Sequence, residues 1–160
     1  MTKILLAGAT GYLGGYLLKK IEESNYEGRI VVRNKSKLQN QPGLKSEIIS
    51  AEVTRPETIK NICDGIDIVI STVGITKQKD GLTYMDVDYG ANNNLLKEAL
   101  KSGVKEFIYV SVFEGEKLKN LKICEAKEKF VDELKNSGID HCVVRPNGFF
   151  SDMTEIFNTL

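Results

Sequence analysis

"KILLAGATGYLGGYLLKKIEE", residues 3–23, decides how the rest of the sequence is read. The apolar run KILLAG has the composition of a buried strand, and YLGGYLLKKIEE follows with the pattern of a helix. Between them Gly8, Gly11 and Gly14 form G-x-x-G-x-x-G. Glycine in such a turn permits tight backbone angles, lets the main chain approach a diphosphate, and lets the helix pack close to the strand. The helix N-terminus adds unpaired N–H groups and a partial positive charge facing the phosphates. Thr10, Tyr12 and Leu13 join the three glycines as candidate cofactor contacts. The bland alternative is a glycine-rich turn with no ligand; the position at the start of a strand–helix–strand unit favours dinucleotide binding.

Outward from this unit, short β-type runs alternate with helical patterns: RIVVR, SEIISAEV, PETIKNIC, DIVISTVG, VDYGANNNLLKEALKSG, EFIYVSV, ICEAKEKFVDEL and DHCVVRP. Six strands separated mostly by helices predict an α/β fold, a doubly wound parallel sheet of the Rossmann type with strand order 3-2-1-4-5-6. Strands 1, 4, 5 and 6 are apolar enough for burial on both faces. NKSKLQNQPGLK, after strand 2, is polar and Pro/Gly-punctuated, so this crossover is expected to be loop with at most a short helix. Near the end, Met153, Ile156, Phe157 and Leu160 recur at helical spacing behind a cap at Ser151 or Asp152. Either this stripe closes the domain, or the sequence is the front part of a longer protein that carries a C-terminal substrate-binding region.

The 160 residues suit one domain, 1–160, and lysine plus arginine balance aspartate plus glutamate at 22 each. That balance gives no electrostatic case for nucleic acid or an anionic membrane. Cys63, Cys124 and Cys142 form no C-x-x-C pair, which points to neither a disulfide framework nor a metal site. No apolar run approaches the roughly 18 residues of a membrane span, so a soluble, cytoplasmic protein is expected.

Roughly twenty residues beyond the glycine turn, an acidic residue at the end of strand 2 would take the ribose 2′-hydroxyl of NAD. RIVVRNKSK has none. It offers Arg33, with Lys35 and Lys37 behind it, and a guanidinium suits a 2′-phosphate through charge-assisted bonds. NADP(H) is therefore favoured over NAD(H), the alternative being a solvated arginine at a strand end.

With these residues in place, the sequence resembles the extended and atypical short-chain dehydrogenase/reductases, most closely the NmrA-like NAD(P)-binding proteins. The resemblance runs through GATGYLGGYL, VVRN, DIVISTVG, NNNLLKEALKSGVKEFIYVSV and SGIDHCVVRPNGFF. It implies an adenine contact at Glu52, backbone contacts at Thr72, Val73 and Gly74, and passage of Pro146, Asn147 and Gly148 near the nicotinamide. It further implies two candidate catalytic residues that also touch the cofactor, Ser111 after strand 5 and Lys127 of the Tyr-x-x-x-Lys signature. At the tyrosine position stands Ile123, so the family's usual proton donor is absent.

Lys127 falls on the apolar face made by Ile123, Ala126, Phe130, Val131 and Leu134. It either faces the cofactor cleft or lays its stem over apolar surface with its head in water. Ser111 has the alternative of a plain strand-end hydroxyl. Phe149 and Phe150 either wall the substrate side or anchor the core. His141 lies on strand 6 without metal-ligand neighbours, Tyr84 and Tyr89 are weak substitutes as proton donors, and one of Asn92, Asn93 and Asn94 is expected to contact backbone or cofactor. Two functions follow: an NADPH-dependent oxidoreductase of a small carbonyl, quinone or alkene, or an NADP(H)-sensing regulator without turnover. Epimerase and dehydratase chemistry leans on the absent tyrosine. The partners expected are the dinucleotide and a small-molecule substrate, with neither nucleic acid nor membrane, and a homo-oligomer is compatible with the sequence.

Overall fold

Alternate residues of a strand face opposite sides of its sheet, and the first strand, β1 (Lys3–Ala7), is apolar in both phases. It can therefore sit only in the middle of a sheet covered on both faces. The computed structural model describes residues 1–38, 43–75 and 81–149. It places β1 between β2 (Glu27–Val32) and β4 (Ile68–Ser71), with β3 (Glu47–Ser50) outside β2, and β5 (Glu106–Val110) then β6 (Asp140–Val144) outside β4. All five pairings are parallel, and Leu5 lies level with Arg29 on one side and Val69 on the other. The expected order, 3-2-1-4-5-6, is the order observed.

Leu5, Ala7, Val31, Val69, Phe107 and Tyr109 form one core with helices α2 (Asn92–Lys101) and α3 (Lys122–Asn136), through Leu95, Leu96, Ala99, Phe130, Val131 and Leu134. Ile4, Leu6, Ile30 and Val32 form the other, closed by Leu18 and Ile21 of helix α1 (Tyr12–Glu23) and by Leu38. Glycines in the left-handed region follow α2 and α3, Gly103 at φ 69° and Gly138 at φ 79°, where a helix end turns away at no steric cost. After β2 the described residues of this crossover form a 3-10 turn, Lys35–Leu38.

Three expectations change. PETIKNIC forms no α-helix: a 3-10 turn spans Pro56–Thr58, and Asn61 then takes a φ of 60° and donates its backbone N–H to the Glu98 carboxylate at 2.8 Å. Ile59, Ile62 and Cys63 are buried all the same, so consecutive turns reproduce the spacing of a helix face. Strand β6 is not buried on both faces. It is the edge strand, with Asp140, His141, Cys142 and Val144 exposed, and the half-buried Ile108 and Val110 beside it show one face of β5 partly open as well. The third change precedes α2, where Met85–Ala91 winds as a π-helix, a wide form that recurs at functional sites. Phe150 and the stripe from Ser151 to Leu160 lie outside the described residues. No helix among the described residues is long and apolar enough to cross a membrane.

Candidate functional site

Parallel strands point their carboxyl ends the same way, and where the order reverses, between β1 and β4, the departing loops leave a crevice. The glycine turn opens there. Gly8 sits at φ 91°, and a Cβ on it would run into the Thr72 side chain. The Gly11 N–H donates to the Gly8 carbonyl at 2.9 Å, and a Cβ on Gly14 would strike that same carbonyl. Gly8 and Gly14 therefore have a steric reason in the fold itself: two strand ends and the start of α1 meet at van der Waals distance. Among the described residues no side chain caps α1, and its first turn carries no acidic residue to compete for the helix terminus. Thr10, Gly11 and Tyr12 are exposed there and Leu13 is half-buried. A turn that brings the main chain this close to strand and helix, with the exposed Thr10 and Gly11 at the helix N-terminus, fits a diphosphate.

Across the crevice, the Thr72 hydroxyl and N–H both donate to the Ala7 carbonyl, at 3.2 and 3.0 Å, which pins the end of β4 to β1. Val73 is half-buried and Gly74 exposed. A Cβ on Gly74 would lie 3.0 Å from the Lys127 ammonium, so two of the expected site residues are brought together. Lys127 is only 12% exposed, and its partner is one that sequence reading missed: the carboxylate of Asp88, 3.0 Å away and fully buried. This is an ionic contact without hydrogen-bond alignment at Oδ1, while Oδ2 accepts the Ile75 N–H at 3.3 Å. Burial pushes the Asp88 carboxyl above the ordinary aspartate range, and Lys127 only partly offsets it. The π-helix fixes this aspartate through Asn92, whose amide donates to the Asp88 carbonyl at 2.9 Å and whose Oδ1 accepts from Ser71 at 2.5 Å. Asn94 also contacts backbone, the Val53 carbonyl at 3.1 Å.

Ser111 follows β5 with its hydroxyl donated to Glu128 at 2.9 Å, and its N–H is held by Val144 of β6. Glu128, on α3, is 1% exposed and receives both Nη groups of Arg145, one at 2.7 Å. Burial pushes the Glu128 carboxyl up, but the Arg145 and Ser111 hydrogen bonds outweigh it, and the group sits below the usual glutamate range. Between the two buried carboxylates lies Tyr109, its ring 4.6 Å edge-on from Phe130 and 5.5 Å from the Lys127 ammonium. Its hydroxyl has no hydrogen-bond partner among the described residues. Burial, with Asp88 and Glu128 nearby, pushes that phenol well above its ordinary range, so it is a poor acid.

The remaining candidates occupy the rim. Arg33, Lys35 and Lys37 are exposed beyond β2, and the half-buried Glu52 follows β3, where it accepts the Thr54 hydroxyl at 3.0 Å. Pro146 accepts the Phe113 N–H at 3.0 Å, Asn147 and Gly148 are exposed, and the Phe149 ring meets Tyr12 at 5.5 Å. The segment after β6 thus reaches back to the glycine turn, and Phe149 packs there. His141 is exposed, with Nδ1 3.0 Å from the Ile139 carbonyl. Tyr84 is half-buried ahead of the π-helix, and the Tyr89 hydroxyl is 3.3 Å from Glu133 on α3. Ile123 is half-buried, one turn before Lys127.

The family model described as NAD(P)H-binding matches residues 8–158. The chain belongs to that family. Among curated proteins it is 30% identical over 152 residues to the photosystem II assembly factor Ycf39 of Trieres chinensis, covering 95% of this chain and 47% of that protein. It is 28% identical over 169 residues to the chloroplastic divinyl chlorophyllide a 8-vinyl-reductase of Arabidopsis thaliana, covering 94% of this chain and 40% of that one. It therefore spans under half the length of either relative. Among solved structures, an NADPH-dependent quinone oxidoreductase of Escherichia coli complexed with NADPH superposes with a TM-score of 0.71 at 21% identity, over 89% of this chain and 48% of that one. At that identity the likeness concerns the fold, which agrees with the resemblance to short-chain dehydrogenase/reductases.

Proposed function

We propose that this chain is the cofactor-binding part of an NADPH-dependent oxidoreductase acting on a small carbonyl, quinone or alkene. The observation that carries the reading is the glycine turn 8–14, where a side chain at Gly8 or Gly14 would collide with Thr72 or with the Gly8 carbonyl, at the start of α1 and beside Thr72. In this reading residues 8–14 hold the diphosphate, Arg33 with Lys35 and Lys37 reads the 2′-phosphate, and Glu52 lies on the adenine side. Thr72, Val73 and Gly74 line the middle of the cleft, and Lys127 binds the nicotinamide-side ribose. Pro146, Asn147 and Gly148 pass the nicotinamide. Ser111 offers its oxygen as an acceptor, since its proton is committed to Glu128. When bound, NADPH supplies the hydride; the chain's own residues bind, orient and hold charge. With Ile123 in the tyrosine's place, the proton comes from water or from the substrate itself.

The likeness to a vinyl reductase supports an alkene among the substrates. The likeness to an assembly factor supports the second reading, a protein that binds NADP(H) without turnover, and Ile123 and the engaged Ser111 hydroxyl favour it too. Titration with NADPH and NADH side by side, following nicotinamide fluorescence, tests the shared premise. Tighter NADPH binding supports it, and equal or absent binding of both refutes the NADP(H) assignment. NADPH oxidation in the presence of quinones and enones then separates the two readings.

A further inference from the structure

The polar network between α3 and the end of β4 holds a fully buried carboxylate that no feature of the resemblance calls for. Asp88 Oδ1 lies 3.0 Å from the Lys127 ammonium, and its other oxygen accepts the Ile75 N–H. A carboxylate removed from water is tolerated only beside a compensating charge, and here that charge is the lysine. The lysine is correspondingly fixed. Its ammonium lies 5.5 Å from the Tyr109 ring centroid, and exposed Gly74, where a Cβ would meet both the ammonium and Asp88 Oδ1, packs against the pair on the crevice side. An ammonium has three donors, and one salt contact leaves others for a ligand.

We propose that Asp88 is a positioning residue, which aims Lys127 at the nicotinamide-side ribose of a bound dinucleotide. The inference rests on the dinucleotide reading above and deepens it. The family tyrosine would stand beside this lysine at position 123; here the lysine is instead held by a carboxylate on the π-helix. Holding a flexible four-carbon stem in its binding rotamer before the ligand arrives removes an ordering cost from binding. Among the described residues, the titratable groups around the pair are Tyr109 from β5, and Cys124 and Glu128 from α3, the last neutralised by Arg145. Asp88 is the carboxylate in contact with the lysine, so its protonation alone switches the contact off.

The experiment compares dinucleotide affinity, as NADPH fluorescence, for the wild type, D88N, K127M and D88N/K127M from about pH 5 to about pH 8. K127M is expected to bind about tenfold more weakly, as loss of a charged hydrogen bond implies. D88N, with the same shape and no charge, should lose about as much at neutral pH, and the ratio to wild type should shrink towards one as pH falls through the Asp88 titration. A destabilised but correctly aimed lysine would lower the unfolding temperature and leave that ratio flat. D88N/K127M, which removes both charges and avoids an unpaired one, should bind like K127M. A ratio of one at every pH, a ratio independent of pH, or a double variant weaker than K127M by a further tenfold overturns the role of Asp88. If D88N does not fold, wild type and K127M are compared over the same pH range: an advantage of wild type that shrinks as pH falls supports the role of Asp88, and a constant advantage overturns it. Absence of binding to the wild type refutes the dinucleotide reading and this inference together, whereas wild-type binding with an indifferent D88N refutes the inference alone.

Discussion

Replacing Glu128 with glutamine keeps its shape and removes its charge, and the cost can be worked from its surroundings. The carboxylate is 1% exposed, takes both Nη groups of Arg145, and accepts the Ser111 hydroxyl at 2.9 Å. Removing one member of a fully buried pair costs about 3–5 kcal/mol. Arg145 is 24% exposed and keeps Glu116 at 3.0 Å, so water and that second carboxylate relieve part of the penalty. About 2–3 kcal/mol should remain, or a fall of about 4–12 °C in Tm for a chain of this size. The pH dependence carries a sign. The Glu128 carboxyl lies below its ordinary value, so its stabilisation is present above the ordinary glutamate range and is lost as pH falls through the folded value. Thermal unfolding of wild type and E128Q across pH should give curves separated at neutral pH that converge in acid. A separation that does not change with pH would refute the ionic account, and no separation at all would refute the buried pair.

Arg33→Ala should weaken NADPH binding about tenfold to a hundredfold, equivalent to about 1.5–3 kcal/mol, while NADH binding stays within about twofold; equal losses for both cofactors would remove the 2′-phosphate contact. Gly74→Ala places a methyl group 3.0 Å from the Lys127 ammonium and 2.6 Å from Asp88 Oδ1, so the buried pair must shift, and both dinucleotide affinity and Tm should fall. Unaltered affinity in that variant would mean that the lysine's position does not matter to binding. Phe130→Ala empties the space between Phe107 and Tyr109 and should destabilise by about 3–5 kcal/mol in denaturant titration, with a smaller loss meaning that the core collapses into the gap.

The fold was legible because its deciding signals are local. A glycine turn between an apolar run and a helical pattern implies one strand–helix unit, and repetition of that unit implies the sheet and its order. Local reasoning misled where spacing alone was the guide. Ile59, Ile62 and Cys63 sit at helical intervals, yet Asn61 at φ 60° interrupts any helix. The apolar letters of β6 say nothing about its place at the sheet edge, which pairing decides. At the site, the glycines and the position of Lys127 were readable, but its counter-ion was not. Asp88 and Glu128 are buried by partners distant in sequence, Lys127 for one and Arg145 for the other. For Glu128 one signal was available: it falls on the α3 face between Cys124 and Val131, where an apolar residue would be expected. The π-helix that turns Asp88 inward has no counterpart in the hydrophobic pattern, so the answer to why α3 carries a lysine in its apolar face required the structure.

The most direct test of the cofactor cleft is a map of backbone amide chemical shifts on addition of NADPH to the isotope-labelled chain. Changes concentrated at residues 8–14, 72–74 and around Lys127, with smaller ones near Arg33, are the predicted result. Changes confined to the outer face of α1 or to the β6 edge, or none at saturating NADPH, would contradict the account.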